Sequence, residues 1–96
     1  MKFKIKVTEI FLEQVKKFKD KDKKLVKEKI ELIRKNPYRF KRIHSKKFSR
    51  VFRIRLNLSG REMRLVYIVA SADIILVCLL ERKRNYNDLE KYLRKL

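Results

Sequence analysis

The chain has one glycine, one proline, one cysteine, one histidine and no tryptophan in 96 residues. A lone Cys78 cannot close an intramolecular disulfide, so the chain reads as one for a reducing compartment, the cytoplasm. One histidine and one cysteine cannot assemble a zinc site. There is no glycine-rich phosphate loop and no nucleophile–base motif, so neither metal nor cofactor is expected. No apolar run approaches the roughly 20 residues that span a bilayer. The longest, Ile74 to Leu80, is strand-sized, and the start, MKFKIKV, lacks the apolar stretch of a secretory signal. No membrane partner is expected. Acidic side chains are also few: 11, against 29 Lys and Arg, for a net charge of +18.

Hydrophobic residues make up 45% of the chain, which argues for a folded domain despite a charged fraction of 42%. The length allows one domain, residues 1–96, with one modest core. A field as positive as this one favours nucleic acid, an anionic membrane or an acidic protein as partner. Its distribution narrows the choice. Residues 1–37 carry 13 basic and 6 acidic side chains, and all but one of the basic ones are lysine. Residues 38–64 carry 10 basic and 1 acidic, and seven of the ten are arginine. Lysine suits a solvated helix surface, whereas arginine suits bidentate phosphate recognition and base stacking. The first block reads mainly as solubility and the second as a binding surface.

The stretch from Arg50 to Val69 organises the rest. Phe52, Ile54 and Leu56 alternate with Arg53 and Arg55. Met63, Leu65, Tyr67 and Val69 alternate with Arg64, Val66 and Ile68. Period two predicts two strands. Leu58-Ser59-Gly60-Arg61 supplies the loop between them. Pairing Asn57 with Glu62 sets Leu56 against Met63, Ile54 against Leu65 and Phe52 against Tyr67 on one apolar face. Arg55 then meets Arg64 on the other. A one-residue slip mixes the faces, so this register is favoured. Like charges directly opposite are destabilising. A surface that grips a polyanion gives them a reason to be there.

In chain order, Phe3, Ile5 and Val7 alternate with Lys2, Lys4 and Lys6 in a short first strand. Thr8 is an N-cap candidate for a helix running to about Lys19, with Phe11, Val15 and Phe18 on one face. Asp20-Lys21-Asp22 reads as a polar break. A second helix buries Leu25, Val26, Ile30 and Ile33 and stops at Asn36-Pro37. Residues 38–49 read as an irregular basic connection anchored by Phe40 and Ile43. Ser71-Ala72 turns the chain into a strand, Asp73 to Leu80, with Ala70 facing Asp73, Tyr67 facing Leu76 and Leu65 facing Cys78. Ile75, Val77 and Leu79 then join Val66 and Ile68 in an apolar strip on the arginine face. A C-terminal helix opened by a capping box, Asn87-x-x-Glu90, offers Leu89, Tyr92 and Leu93 as its cover. The fold class is α+β: a helical hairpin packed on one face of a mostly antiparallel four-stranded sheet, in the order β-αα-βββ-α.

That order, the NPYRFKRI connection, the VFRIRL and MRLVYIV strands and the closing ERKRNY together resemble the RelE/ParE superfamily of type II toxins. The resemblance covers almost the whole chain and rests on the ensemble of segments. Its RelE branch implies a ribosome-dependent mRNA endonuclease held in check by a cognate antitoxin, acidic or amphipathic, and acting without metal. Its ParE branch implies a DNA gyrase inhibitor, and a plain RNA-binding module is the third reading. The resemblance carries catalytic roles onto Arg53, Arg55 and Arg64. It carries them also onto the closing run, where one register selects Arg84 and another Arg82 with Tyr86. The first of these registers puts Glu90 at the tyrosine position.

The chemistry of such a cleavage needs a proton taken from a 2′-hydroxyl, charge stabilised on phosphorus and a proton given to the 5′-oxygen. Guanidinium groups serve the second need. His44 reads as a solvent-facing loop residue and Tyr67 as structural. Lys46, Lys47, Arg50, Arg61 and Lys83 are expected to add RNA contacts. The arginine cluster favours the RNA reading over the gyrase one.

Overall fold

The computed structural model describes residues 3–81 and 87–94. Its elements are β1 (Lys4–Val7), α1 (Glu9–Lys16), α2 (Asp20–Lys35), β2 (Lys41–Ile43), β3 (Val51–Leu58), β4 (Arg61–Ala70), β5 (Asp73–Glu81) and α3 (Asn87–Leu93). They form one sheet in the order β1-β5-β4-β3-β2. β1 runs parallel to β5 at one edge, and the other neighbours are antiparallel. The α+β class holds, but the sheet has five strands rather than four. The extra one, β2, forms inside the connection expected to be irregular. Lys41, Arg42 and Ile43 pair with Arg53, Phe52 and Val51, so they take up the outer edge of β3. Ile43 is buried there against its own cluster, while Phe40 packs on the opposite one.

A side chain satisfies the backbone at the start of α1. Thr8 Oγ1 accepts from the Phe11 N–H at 3.0 Å and donates to the Val77 carbonyl at 2.6 Å. One hydroxyl therefore caps α1 and ties it to β5. α1 ends at Lys16, earlier than its periodicity suggested, because Lys19 is already extended at ψ 158° to start α2. Gln14 does a strand's work. Its side-chain amide donates to the Leu79 carbonyl (2.9 Å) and accepts from the Leu79 N–H (2.7 Å). It thus extends the β5 ladder beyond the point where β1, ending at Val7, stops pairing.

Asp22, expected in a polar break, lies in the first turn of α2 and is buried. Its Oδ2 accepts from Ser59 Oγ at 2.6 Å. Ser59 and Gly60 have φ of 52° and 80°, so the β3–β4 loop closes as a two-residue turn with both residues left-handed. The Gly60 N–H donates to Asn57 Oδ1 at 2.9 Å. α2 and the hairpin tip are therefore fastened side chain to side chain.

Two apolar clusters flank the sheet. On the helical side Phe11, Val26 and Ile33 meet Phe52, Ile54, Leu65, Tyr67 and Leu76. On the other side Val51, Val66, Ile68, Val77 and Leu80 meet Leu89 and Leu93 of α3, with Tyr92 packed alongside. The cover expected of the C-terminal segment is thus in place. The β4–β5 register changes between Val66 and Tyr67: Tyr67 faces Leu76, but Val66 faces Cys78 and Leu65 faces Leu79. Val77 is the extra residue of a β-bulge. The expected Leu65–Cys78 pair is therefore wrong. Cys78 and Leu80 belong to the α3 side, and Leu79 belongs to the helical side.

Candidate functional site

The β3–β4 register places Arg55 directly opposite Arg64 and Arg53 opposite Val66. Alternation puts all three arginines on the α3 side of the sheet. Their exposures differ. Arg55 is exposed, Arg64 is half-buried, and Arg53 is drawn in to 7% exposure. Of the three, Arg55 is the one offered to solvent. β2 adds a fourth cation. Lys41 is the cross-strand partner of Arg53, so it shares that face, and it is exposed. Phe40, Lys41, Arg53, Ile54 and Arg55 line a shallow hollow of about 200 Å³. Lys41 escaped the sequence reading because it stood in a segment taken as irregular. Two adjacent cations between Phe40 and Ile43 give no period-two signal, so nothing in the sequence marked the strand.

Arg64 stands on β4, which is paired on both sides, and Arg55 on β3 beyond the reach of β2. Beneath the arginines, on the other face, Phe52 stacks on Tyr67 with centroids 5.6 Å apart and an interplanar angle of 17°. The Tyr67 hydroxyl donates to the Pro37 carbonyl at 2.6 Å. Burial pushes the Tyr67 pKa well above its ordinary value. Fully buried and committed to the Pro37 carbonyl, Tyr67 is a framework residue. The same bond ties the turn that stops α2 to β4.

Three solved structures share this architecture. A double arginine-to-alanine mutant of the E. coli toxin RelE, in the free state, matches with a TM-score of 0.73 at 20% identity, and both chains are covered in full. The fold is that of RelE. The isolated E. coli RelE toxin matches with a TM-score of 0.65 at 19% identity, over 98% of this chain and 99% of that one. The intact E. coli RelBE toxin–antitoxin complex matches with a TM-score of 0.65 at 21% identity, over 85% of this chain and 99% of that one. No family model matches the sequence, and no curated protein does. At these identities the likeness is one of fold.

Within this RelE fold the other expected RNA contacts spread out. Arg61 lies on the opposite face of β4 from Arg64 and forms an ion pair with Glu81. Arg50 lies against Tyr38. Lys46 and Lys47 are exposed on the turn before β3, where Ser45 Oγ accepts from the Lys47 and Phe48 N–H groups at 3.3 Å. Phe48 pins that turn to the α3-side cluster. His44 is exposed. Arg82, Lys83, Arg84 and Tyr86 lie outside the described residues. No group of three or more potential metal ligands occurs among the described residues.

Proposed function

We propose that this protein is the toxin of a toxin–antitoxin pair, an endoribonuclease that cuts mRNA on the ribosome in the cytoplasm. The observation that carries the reading is the Arg55–Arg64 pair on an otherwise well-ordered sheet. It sits beside Arg53 and Lys41 on a face that α3 covers only over its apolar part. The fold shared with E. coli RelE, and with the toxin of the RelBE toxin–antitoxin complex, supports the same reading.

In the proposed reaction the 2′-oxygen loses its proton and attacks the adjacent phosphorus. The bond from phosphorus to the 5′-oxygen breaks, and that oxygen takes up a proton. The products are a 2′,3′-cyclic phosphate and a 5′-hydroxyl, with no redox change and no metal step. Arg55 and Arg64 hold the non-bridging oxygens, where negative charge grows in the transition state. Arg53, buried beside them, fixes the field of the site and presents little surface for contact. A third cation, Arg82 or Arg84, and a proton donor, Tyr86 or Glu90, come from the segment after β5. A shallow face can grip phosphate but does not fold a single strand into in-line geometry, so the ribosome supplies that orientation. A cognate antitoxin with an acidic or amphipathic helix would neutralise the arginines and compete with α3.

Two parallel assays test this. The purified protein should stop a cell-free translation reaction while leaving gyrase supercoiling untouched. Inhibited supercoiling with intact mRNA would favour the ParE-like alternative, and neither effect would leave a plain RNA-binding module.

A further inference from the structure

The connection between α2 and β2 carries an arrangement that the arginine face does not use. Tyr38 is 49% exposed, yet its ring is held from behind. It meets Phe3 and Phe52 edge-on, with centroids 6.4 and 5.9 Å away and interplanar angles of 71° and 78°. Phe52 stacks in turn on fully buried Tyr67. The Tyr38 N–H donates to Asn36 Oδ1 at 3.2 Å, which sets the backbone just after Pro37. The Arg50 guanidinium lies 6.0 Å from the Tyr38 ring centroid, and its Nη1 donates to the Tyr38 hydroxyl at 3.5 Å. The ring is thus pre-positioned, wet on one side and joined to a cation.

The setting points to a polyanion. From residue 32 to residue 61 the chain has no acidic side chain. An aromatic ring beside a guanidinium in such a field is what an unpaired nucleobase stacks on, because every base has a π-face and a nearby phosphate. Tyr38 contacts the helical-side core, whereas Arg55 and Arg64 face the α3 side. The two places therefore lie on opposite faces of the sheet, and at the sheet's β2 edge Lys41 and Arg42 are exposed.

We infer that Tyr38 and Arg50 form a stacking platform for an unpaired RNA base, a second contact on the opposite face of the sheet from the cleavage face. This rests on the RNA reading above and adds a subsite to it. A strand seated on both would bend around the β2 edge. The platform would then hold the RNA on the protein, and the arginine face would act on it.

The test is fluorescence anisotropy with the full chain and a short labelled single-stranded RNA. Tyr38→Leu should weaken binding about tenfold and leave its salt dependence unchanged, since no charge is lost. Tyr38→Phe should bind within about twofold of the unsubstituted protein, because the ring is kept. An RNA with abasic positions should bind the unsubstituted protein more weakly, and Tyr38→Leu should then cost nothing further. Unchanged affinity in Tyr38→Leu, or an equal loss on abasic RNA, overturns the platform. A poly-glutamate competitor that removes the Tyr38 effect at equal charge would assign the platform to acidic protein and overturn the RNA assignment. Arg55→Ala/Arg64→Ala serves as the control for the parent reading. If it loses affinity and Tyr38→Leu does not, only the platform fails; if neither changes, the RNA reading fails. Should Tyr38→Leu not fold, photo-crosslinking of 4-thiouridine RNA to the unsubstituted protein decides. A crosslink on the peptide holding Tyr38 supports the platform, and crosslinks confined to β3 and β4 overturn it.

Discussion

Arg55 and Arg64 are direct partners across the β3–β4 ladder. A sheet sets such side chains roughly 5 Å apart at Cβ, where two cations repel. Substitution therefore separates stability from function. Arg55→Ala should leave folding intact and raise the melting temperature by about 1–2 °C, the equivalent of a few tenths of a kcal/mol in a chain of this size. Cleavage should fall about a hundredfold or more, as when one transition-state donor is removed. Calorimetry beside a cleavage assay checks both. A melting temperature several degrees lower would make the arginine a structural residue.

Ser59 stands in the left-handed region, with φ of 52°, and holds Asp22 through its hydroxyl. Ser59→Ala keeps the strained backbone and leaves a buried carboxylate short of its donor. It should lower stability by about 1–3 kcal/mol. Ser59→Gly loses the same bond but relieves the left-handed strain, so it should cost less than alanine. Urea midpoints should rank the unsubstituted chain first, glycine second and alanine last. Equal midpoints for all three would show that the tip and α2 are not coupled.

Tyr67→Phe removes the donor to the Pro37 carbonyl and should cost about 1–2 kcal/mol at neutral pH. Burial raises the Tyr67 pKa, so the folded state keeps the phenol proton after the unfolded chain has lost its own. The unfolded chain then binds fewer protons, and stability falls as pH rises. This contribution is complete below pH about 10, the unfolded value, and is lost progressively above it. The gap in stability between the two proteins should therefore narrow above pH 10. A gap that stays constant there would mean that the hydroxyl is solvated in the folded protein.

The hairpin was legible because its alternation leaves one workable register, and every pair from Asn57–Glu62 to Phe52–Tyr67 is found as read. Ala70–Asp73 and Tyr67–Leu76 followed from the turn at Ser71. The bulge at Val77 was not legible. Ile74 to Leu80 is apolar throughout, so neither face of β5 marks where the alternation slips. β2 was hidden by its length of three residues within a basic run. Asp22 looked like punctuation because its partner, Ser59, lies 37 residues away. The burial of Arg53 had no signal either, since its sequence neighbours alternate as those of exposed Arg55 do. The alternation showed that Arg53, Arg55 and Arg64 share a face, but not how far each reaches solvent, nor that Arg61 turns to the other face to pair with Glu81.

The α3 helix covers Val66, Ile68, Val77 and Leu80 with fully buried Leu89 and Leu93. A chain ending after residue 87 should expose that strip, bind hydrophobic dye and aggregate more readily. Its affinity for the cognate antitoxin should be intact or higher, because the antitoxin no longer competes with α3. A truncated chain that stays soluble and no longer binds antitoxin would make α3 part of the binding surface.

The central claim is that the Arg55–Arg64 face cuts mRNA on the ribosome, and primer extension on ribosome-bound message tests it most directly. The unsubstituted protein should give discrete stops in phase with codons and leave the same RNA whole when ribosomes are omitted. Arg55→Ala/Arg64→Ala, still folded, should give none. Equal cleavage of naked RNA, or stops that persist in the folded double variant, would contradict the account.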